Sequence, residues 1–345
     1  MLSQATRHIR NSRTPFLNYY VKESGRVGVI ELNNPENRHA LSLEMLRQFQ
    51  QAIDYMEGKR ECCNDAHSVD EKFGEDSRHD LHDPDDSNKN NVRVVIIQAT
   101  PTATSPDNSN VARNATNVFC SGHDLKQIQQ YQAMEWLSSS RAPYTPKAEQ
   151  QSSGQLLLHE LYETCSNVMM SITKSKIPYI AKINGITTAA GCQLVATCDL
   201  AYATSHSKFV TPGNFNIGLF CSTPSVALLQ KNTGIPRKHI TEMLLLGQPI
   251  SATKASVIGL INDVSETEED LDEKVDDVAN LIATQTSYDT LSRFGKSTIH
   301  EVSNVGTLAD AYNYATNVMV DNSLTEDCRD GIDSFLSKRK PKWKN

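Results

Sequence analysis

The sequence predicts an α/β fold whose C-terminal third is helical, and three observations carry that prediction. Short β-rich apolar runs alternate with helix-period segments up to about residue 235. Past residue 236 the helical pattern dominates. The hydrophobic fraction of the 345 residues is only 38%, because three polar stretches interrupt the alternation.

Taken in order, the first 22 residues hold Arg7, Arg10, Arg13 and Lys22 and no acid before Glu23, with no apolar run after them. That pattern predicts a mitochondrial transit peptide over residues 1–16, an address rather than part of the fold. Between residues 19 and 32, Tyr20 and Val21, then Val27, Val29 and Ile30, flank Ser24-Gly25, which reads as two strands and a turn. Ser42 is placed to cap a helix carrying Leu43, Leu46, Phe49, Ile53 and Met56 at helical spacing, and Gly58 ends it. Residues 59–91 contain ten acids and few large apolar side chains, too few to repay the entropy of ordering. They are expected to form an insert, as are polar stretches at 101–117 and 138–155.

The run from Arg93 to Gln98 reads as a buried strand. A helix at 156–173, a strand at 179–183, a helix at 190–197 and a strand at 200–203 follow. The predicted organisation is therefore a core over 17–235 and a helical layer over 236–345.

Charge and composition exclude several roles. A net charge of −7 argues against a nucleic-acid partner or an anionic membrane surface, since both require a clustered positive field. The longest apolar runs, such as Val94 to Ile97, fall far short of the roughly 18 residues needed to span a bilayer. Eight cysteines without a CxxC pair or a histidine at ligand spacing argue against zinc or a disulfide framework.

Two glycine-bearing segments remain, each between a strand and a helix start: Phe119-Cys120-Ser121-Gly122-His123-Asp124-Leu125-Lys126, and Asn184-Gly185-Ile186-Thr187-Thr188-Ala189-Ala190-Gly191-Cys192-Gln193. Small residues let a ligand approach the backbone, and the free amides of a helix N-terminus stabilise an oxyanion. Either segment alone is explained by an ordinary glycine turn. Together, with Asn37-Arg38-His39-Ala40-Leu41-Ser42, Cys198-Asp199-Leu200-Ala201 and Gly247-Gln248-Pro249-Ile250, they resemble the paired motifs of the enoyl-CoA hydratase/isomerase, or crotonase, superfamily. The resemblance covers residues 17–60, 92–137 and 156–342.

The resemblance implies a crotonase-like spiral of ββα units followed by a helical oligomerisation region, assembled as a homotrimer or hexamer. It implies an acyl-CoA thioester as substrate or ligand, no other cofactor, and a place in fatty-acid metabolism in the mitochondrial matrix. The backbone N–H groups of His123 and Ala190 would hold the thioester oxygen. Arg38, Ala40, Asp124, Leu125, Lys126 and Gly191 would lie on the CoA side, and Lys338 in a basic tail would reach a phosphate of a neighbouring subunit.

The departures from the family pattern bear on activity. A hydratase of this family carries two glutamates where this chain has Gln193 and Gly213. Glutamine holds water but transfers no proton at neutral pH, and glycine supplies nothing. Each loss costs about 10²–10⁴-fold in rate, so ordinary hydratase activity is not expected. Two alternatives stand beside an acyl-CoA-binding protein with other chemistry. One is a non-catalytic or regulatory module. The other is a hydratase or isomerase with rerouted acid–base groups, for which His123, Glu135, Glu160 and Cys221 are candidates, while Asp199 is expected to be structural.

Overall fold

The computed structural model describes residues 10–59, 91–102, 117–140, 152–230 and 234–344. Its scaffold is a seven-stranded sheet in the order β1-β2-β3-β4-β6-β8-β11, formed by β1 (Arg10–Arg13), β2 (Leu17–Val21), β3 (Val27–Leu32), β4 (Val94–Ala99), β6 (Tyr179–Ile183), β8 (Leu200–Thr204) and β11 (Asp263–Ser265). The first three strands are antiparallel neighbours, and from β3 onward the pairing is parallel. A second sheet of β5 (Val118–Cys120), β7 (Ile186–Thr188), β9 (Lys208–Val210) and β10 (Ile250–Ser251) stands beside it in the order β10-β9-β7-β5.

Side-chain alternation along the strands explains the two cores. In β3 and β4, Ile30, Leu32, Val95 and Ile97 face α1 (Leu43–Met56) and α3 (Ser153–Lys174), whose Phe49, Ile53, Leu161, Val168 and Ile172 complete the main core. The alternate residues Val27, Val29, Val94 and Ile96 face α9 (Glu268–Gln285). That helix presents Leu271, Val275, Ala279 and Ala283, a buried stripe at i, i+4 spacing. With both faces covered, the central strands are continuous apolar runs.

The remaining helices are α2 (Leu125–Ser140), α4 (Ala190–Thr197), α5 (Gly213–Asn216), α6 (Ser222–Gln230), α7 (Arg237–Leu246), α8 (Ala252–Val257), α10 (Lys296–Val302), α11 (Leu308–Ser323) and α12 (Glu326–Leu336).

Three expectations are corrected here. The transit segment 1–16 was expected to stand outside the fold. Residues 1–9 lie outside the described residues, but Arg10–Arg13 pairs with β2 as an edge strand, because an extended chain next to a free sheet edge satisfies its amides there. The C-terminal layer is not separate: β11 joins the sheet and α9 covers its far face. Most of the inserts at 59–91, 101–117 and 138–155 lies outside the described residues, but their edges are part of the fold. The Val118 amide donates to Thr102 Oγ1 (3.0 Å), α2 runs on to Ser140, and α3 starts at Ser153 with the Ser152 hydroxyl as its cap.

Candidate functional site

The two glycine-bearing segments meet at the start of α4. On one side, the Leu41 amide donates to the Gly122 carbonyl (2.7 Å) and the Asp124 amide donates to the Leu41 carbonyl (3.3 Å), which makes a parallel bridge of Leu41 with His123. Successive amides of an extended strand point to opposite edges. Since residues 122 and 124 spend their groups on Leu41, the His123 N–H faces away from it, toward β7 and α4. Gly122 makes the approach possible: its φ is +87°, and a Cβ there would lie 3.0 Å from the Thr188 carbonyl oxygen and 3.4 Å from the Ala190 nitrogen.

On the other side, α4 begins without a side-chain cap. Its N-cap residue Ala189 has φ 49° and ψ −111°, a conformation an L-residue adopts at a cost, held by its amide donating to the Val210 carbonyl (2.8 Å). The first amides of a helix have no partner inside it, so those of Ala190 and Gly191 are free to face a ligand. Gly191 lets α4 lie directly on β5, where any Cβ would meet the Cys120 carbonyl at 2.6 Å.

Four buried polar atoms on these segments have no hydrogen-bond partner among the described residues: both ring nitrogens of His123, Thr187 Oγ1 and Gln193 Oε1. Buried polar groups are ordinarily paired, so such a concentration points to a ligand that completes them. Burial pushes the His123 imidazole down to about 4, so the ring is neutral, and it sits edge-on to Tyr162, centroids 5.1 Å apart. Burial likewise pushes the Cys120 and Cys192 thiols up to about 12 and raises that of Cys221, which disfavours the thiolate at each of the three.

Gln193 is buried in the first turn of α4, its amide donating to the Ala189 carbonyl (3.2 Å). Gly213 is more than an empty position. A Cβ there would come within 2.1 Å of the Leu219 carbonyl oxygen, so the loop after β9 has closed over the direction a side chain would take.

The other candidates stand around this junction as follows. The Asp124 carboxylate accepts from the amides of Lys126 (2.9 Å) and Gln127 (3.3 Å), which caps α2. Leu125 and Lys126 are exposed on α2, Arg38 is exposed with its carbonyl accepting from the Ser121 amide (3.2 Å), and Ala40 is buried beneath it. Lys338 is exposed at the end of α12, but the basic tail folds back on its own helix, since Arg339 pairs with Asp330 and Asp333, each at 2.7 Å. Of the rerouted carboxylates, Glu160 is held by Arg47 at the surface. Glu135 lies ten residues along α2 from its start, about 15 Å at the helical rise. Asp199 is structural as expected: it accepts from the Tyr179 amide (2.8 Å) and from Lys296 Nζ (2.7 Å).

Two residues were not singled out by the sequence reading. Lys296 is buried and also donates to the carbonyls of Ile172 and Ile177 (2.8 Å each), joining α10 to the core. His39 is fully buried: the Asn34 amide donates to its Nδ1 (3.1 Å) and its Nε2 lies 2.9 Å from the Thr100 carbonyl, which fixes a neutral Nε2–H tautomer. Burial pushes it down to about 4. The hint was a histidine inside an otherwise apolar turn, Ala40-Leu41, before a helix cap.

Comparison with known proteins gives the family of the chain. The family model described as enoyl-CoA hydratase/isomerase matches residues 111–345. A mitochondrial enoyl-CoA hydratase domain-containing protein 3 from Xenopus laevis is 37% identical over 314 residues, covering 91% of this chain and 82% of that protein. The crystal structure of human enoyl-CoA hydratase domain-containing protein 3 superposes with a TM-score of 0.65 at 36% identity over 92% of this chain and 96% of that one. An enoyl-CoA hydratase from Mycobacterium smegmatis gives a TM-score of 0.70 at 29% identity, covering 96% of this chain and 100% of that one. With a family model over more than half of its length and relatives above 30% identity over most of theirs, the chain belongs to the enoyl-CoA hydratase/isomerase family, with the crotonase fold.

Proposed function

We propose that the protein binds acyl-CoA thioesters, with the thioester oxygen between the backbone amides of His123 and Ala190, and that it is not an ordinary hydratase. The observation that carries this reading is the close approach of Gly122 to the uncapped start of α4, beside four buried polar atoms without partners among the described residues. A pair of backbone amides stabilises the enolate of a thioester. Hydration needs in addition a base for the attacking water and an acid for Cα. Gln193 has no proton to exchange, and the Leu219 carbonyl occupies the direction in which a side chain at 213 would project.

The relatives' names support a mitochondrial location, and the family supports a role in fatty-acid metabolism. A homotrimer or hexamer is supported by α11, which buries none of its residues yet carries exposed Leu308, Tyr312 and Met319.

The test is to measure acyl-CoA affinity and crotonyl-CoA hydration on the same preparation. Binding is expected, with turnover about 10²-fold or more below that of a two-glutamate hydratase. Comparable turnover on short and long enoyl chains would overturn the loss of hydratase activity. Failure to bind any acyl-CoA would overturn the amide assignment.

A further inference from the structure

We propose that His39 is a positioning residue of this site: its ring locks a strained turn, and that turn fixes the register of residues 121–124 and with it the direction of the His123 N–H. That this N–H then holds a thioester oxygen rests on the thioester-binding reading above; the hold of His39 on the segment does not.

The turn needs outside support. Pro35–Asn37 form a short 3-10 turn, and Arg38 (φ 52°, ψ 39°) and His39 (φ 52°) follow it in the left-handed region. That region is costly for a residue with a Cβ, and two such residues in succession persist only where the surroundings over-determine them. The His39 ring supplies the constraint. It is fully buried, its Nδ1 accepts the Asn34 amide (3.1 Å), and its Nε2–H donates to the Thr100 carbonyl (2.9 Å). Thr100 directly follows β4, and its own amide donates to the Leu32 carbonyl (2.9 Å) at the end of β3. The ring therefore ties the turn to the ends of two central parallel strands. Burial pushes the imidazole down to about 4, against the pull of the Thr100 carbonyl and the Glu31 carboxylate. A neutral ring offers one acceptor and one donor at once, as these two partners require.

The other side of the turn meets the glycine-bearing segment. Pairing of β5 with β7 runs as far as Cys120. Beyond it, the Ser121 amide donates to the Arg38 carbonyl (3.2 Å), the Leu41 amide to the Gly122 carbonyl (2.7 Å) and the Asp124 amide to the Leu41 carbonyl (3.3 Å). These bonds bracket His123, and each ends on a residue next to His39 or one removed from it. The His123 N–H points to the edge opposite the bonds with Leu41, so a displaced turn re-aims it. An oxyanion donor tolerates little of that, because it must stand about 2.7–3.1 Å from the oxygen it stabilises.

The test uses the full-length protein and measures crotonyl-CoA affinity by calorimetry, amide hydrogen exchange by mass spectrometry and urea unfolding at one temperature. His39→Leu removes both ring bonds, whereas His39→Asn keeps an acceptor near the Nδ1 position and His39→Gln a donor near the Nε2 position. In variants that urea unfolding shows to be folded, His39→Leu is expected to raise the crotonyl-CoA Kd about tenfold and to speed exchange over residues 117–128 by a similar factor, with exchange in β8 unchanged. His39→Asn and His39→Gln are expected to recover part of both effects. A folded His39→Leu protein with unchanged affinity would overturn the positioning role, whatever its loss of stability, and leave His39 as a core residue only. Faster exchange over 117–128 in a protein whose unaltered form binds no acyl-CoA would overturn the thioester reading and leave the hold of His39 on the segment standing. Where none of the variants folds, the unaltered protein decides: residues 38–41 and 121–124 are expected to exchange as one unit, and independent opening would overturn the coupling.

Discussion

Two polar centres of this molecule lie at opposite ends of α4, and they differ in how their groups are partnered. At the C-terminal end, Asp199 and Lys296 satisfy one another: the ammonium donates to Asp199 and to two carbonyls, and the carboxylate also accepts the Tyr179 amide. At the N-terminal end, His123, Thr187 and Gln193 keep polar atoms out of water with no partner among the described residues. The first centre is complete and holds the chain together. The second is incomplete, and its stability cost is consistent with a place reserved for a ligand.

Breaking the complete centre should have the largest effect on folding. Lys296→Met leaves the Asp199 carboxylate and the Ile172 and Ile177 carbonyls without their shared donor, and is expected to cost about 3 kcal/mol in urea unfolding. A loss near zero would show that water replaces the ammonium and that α10 is not anchored there.

An intermediate effect is expected at the edge of the incomplete centre. Gly213→Ala forces a methyl against the Leu219 carbonyl oxygen, 2.1 Å from the ideal Cβ, and should cost about 2 kcal/mol unless the loop shifts. The same geometry predicts that Gly213→Glu does not restore a hydratase, because the carboxylate could enter only after the loop had moved. Neutral behaviour of Gly213→Ala in thermal unfolding would show that the loop opens readily.

The smallest effect sharpens the comparison, because its sign is reversed. His123→Phe keeps the backbone amide and the edge contact with Tyr162 while removing two unpartnered nitrogens, and should stabilise the free protein by about 1 kcal/mol. It should also flatten the acid side of the stability profile. The unfolded imidazole takes up a proton below about 6.5 and the folded one only near 4, so the unfolded state binds more protons in that window and stability falls as the pH drops through it. His39 contributes a slope of the same sign that should remain in the variant. An unchanged profile between pH 6.5 and 4 would show that His123 is protonated or solvated in the native state.

The elements whose signals are local were legible in the sequence. Ser42 caps α1, whose apolar face follows helical spacing, and the Val94–Ile97 run of β4 is apolar on both faces because helices cover both. The two glycine-bearing segments were recognisable as a pair, and the absence of glutamate at 193 and 213 is a property of the sequence itself. The partnerships between distant residues were decided by the tertiary structure. The cap that the Asp124 carboxylate makes on α2 amides is seen only in the fold, and Arg10–Arg13 reads as an address until a sheet edge pairs with it. Similarly, α9 belongs by sequence to a C-terminal helical layer, yet its i, i+4 stripe fits the far face of the sheet. Glycine at 213 says only that no side chain acts there, while the position of the Leu219 carbonyl shows that none fits without movement. The physical reason is that periodicity and capping are set by neighbours within a few residues of the chain. Burial, closed loops and satisfied or orphaned polar atoms depend on groups that only folding brings within a hydrogen bond of each other.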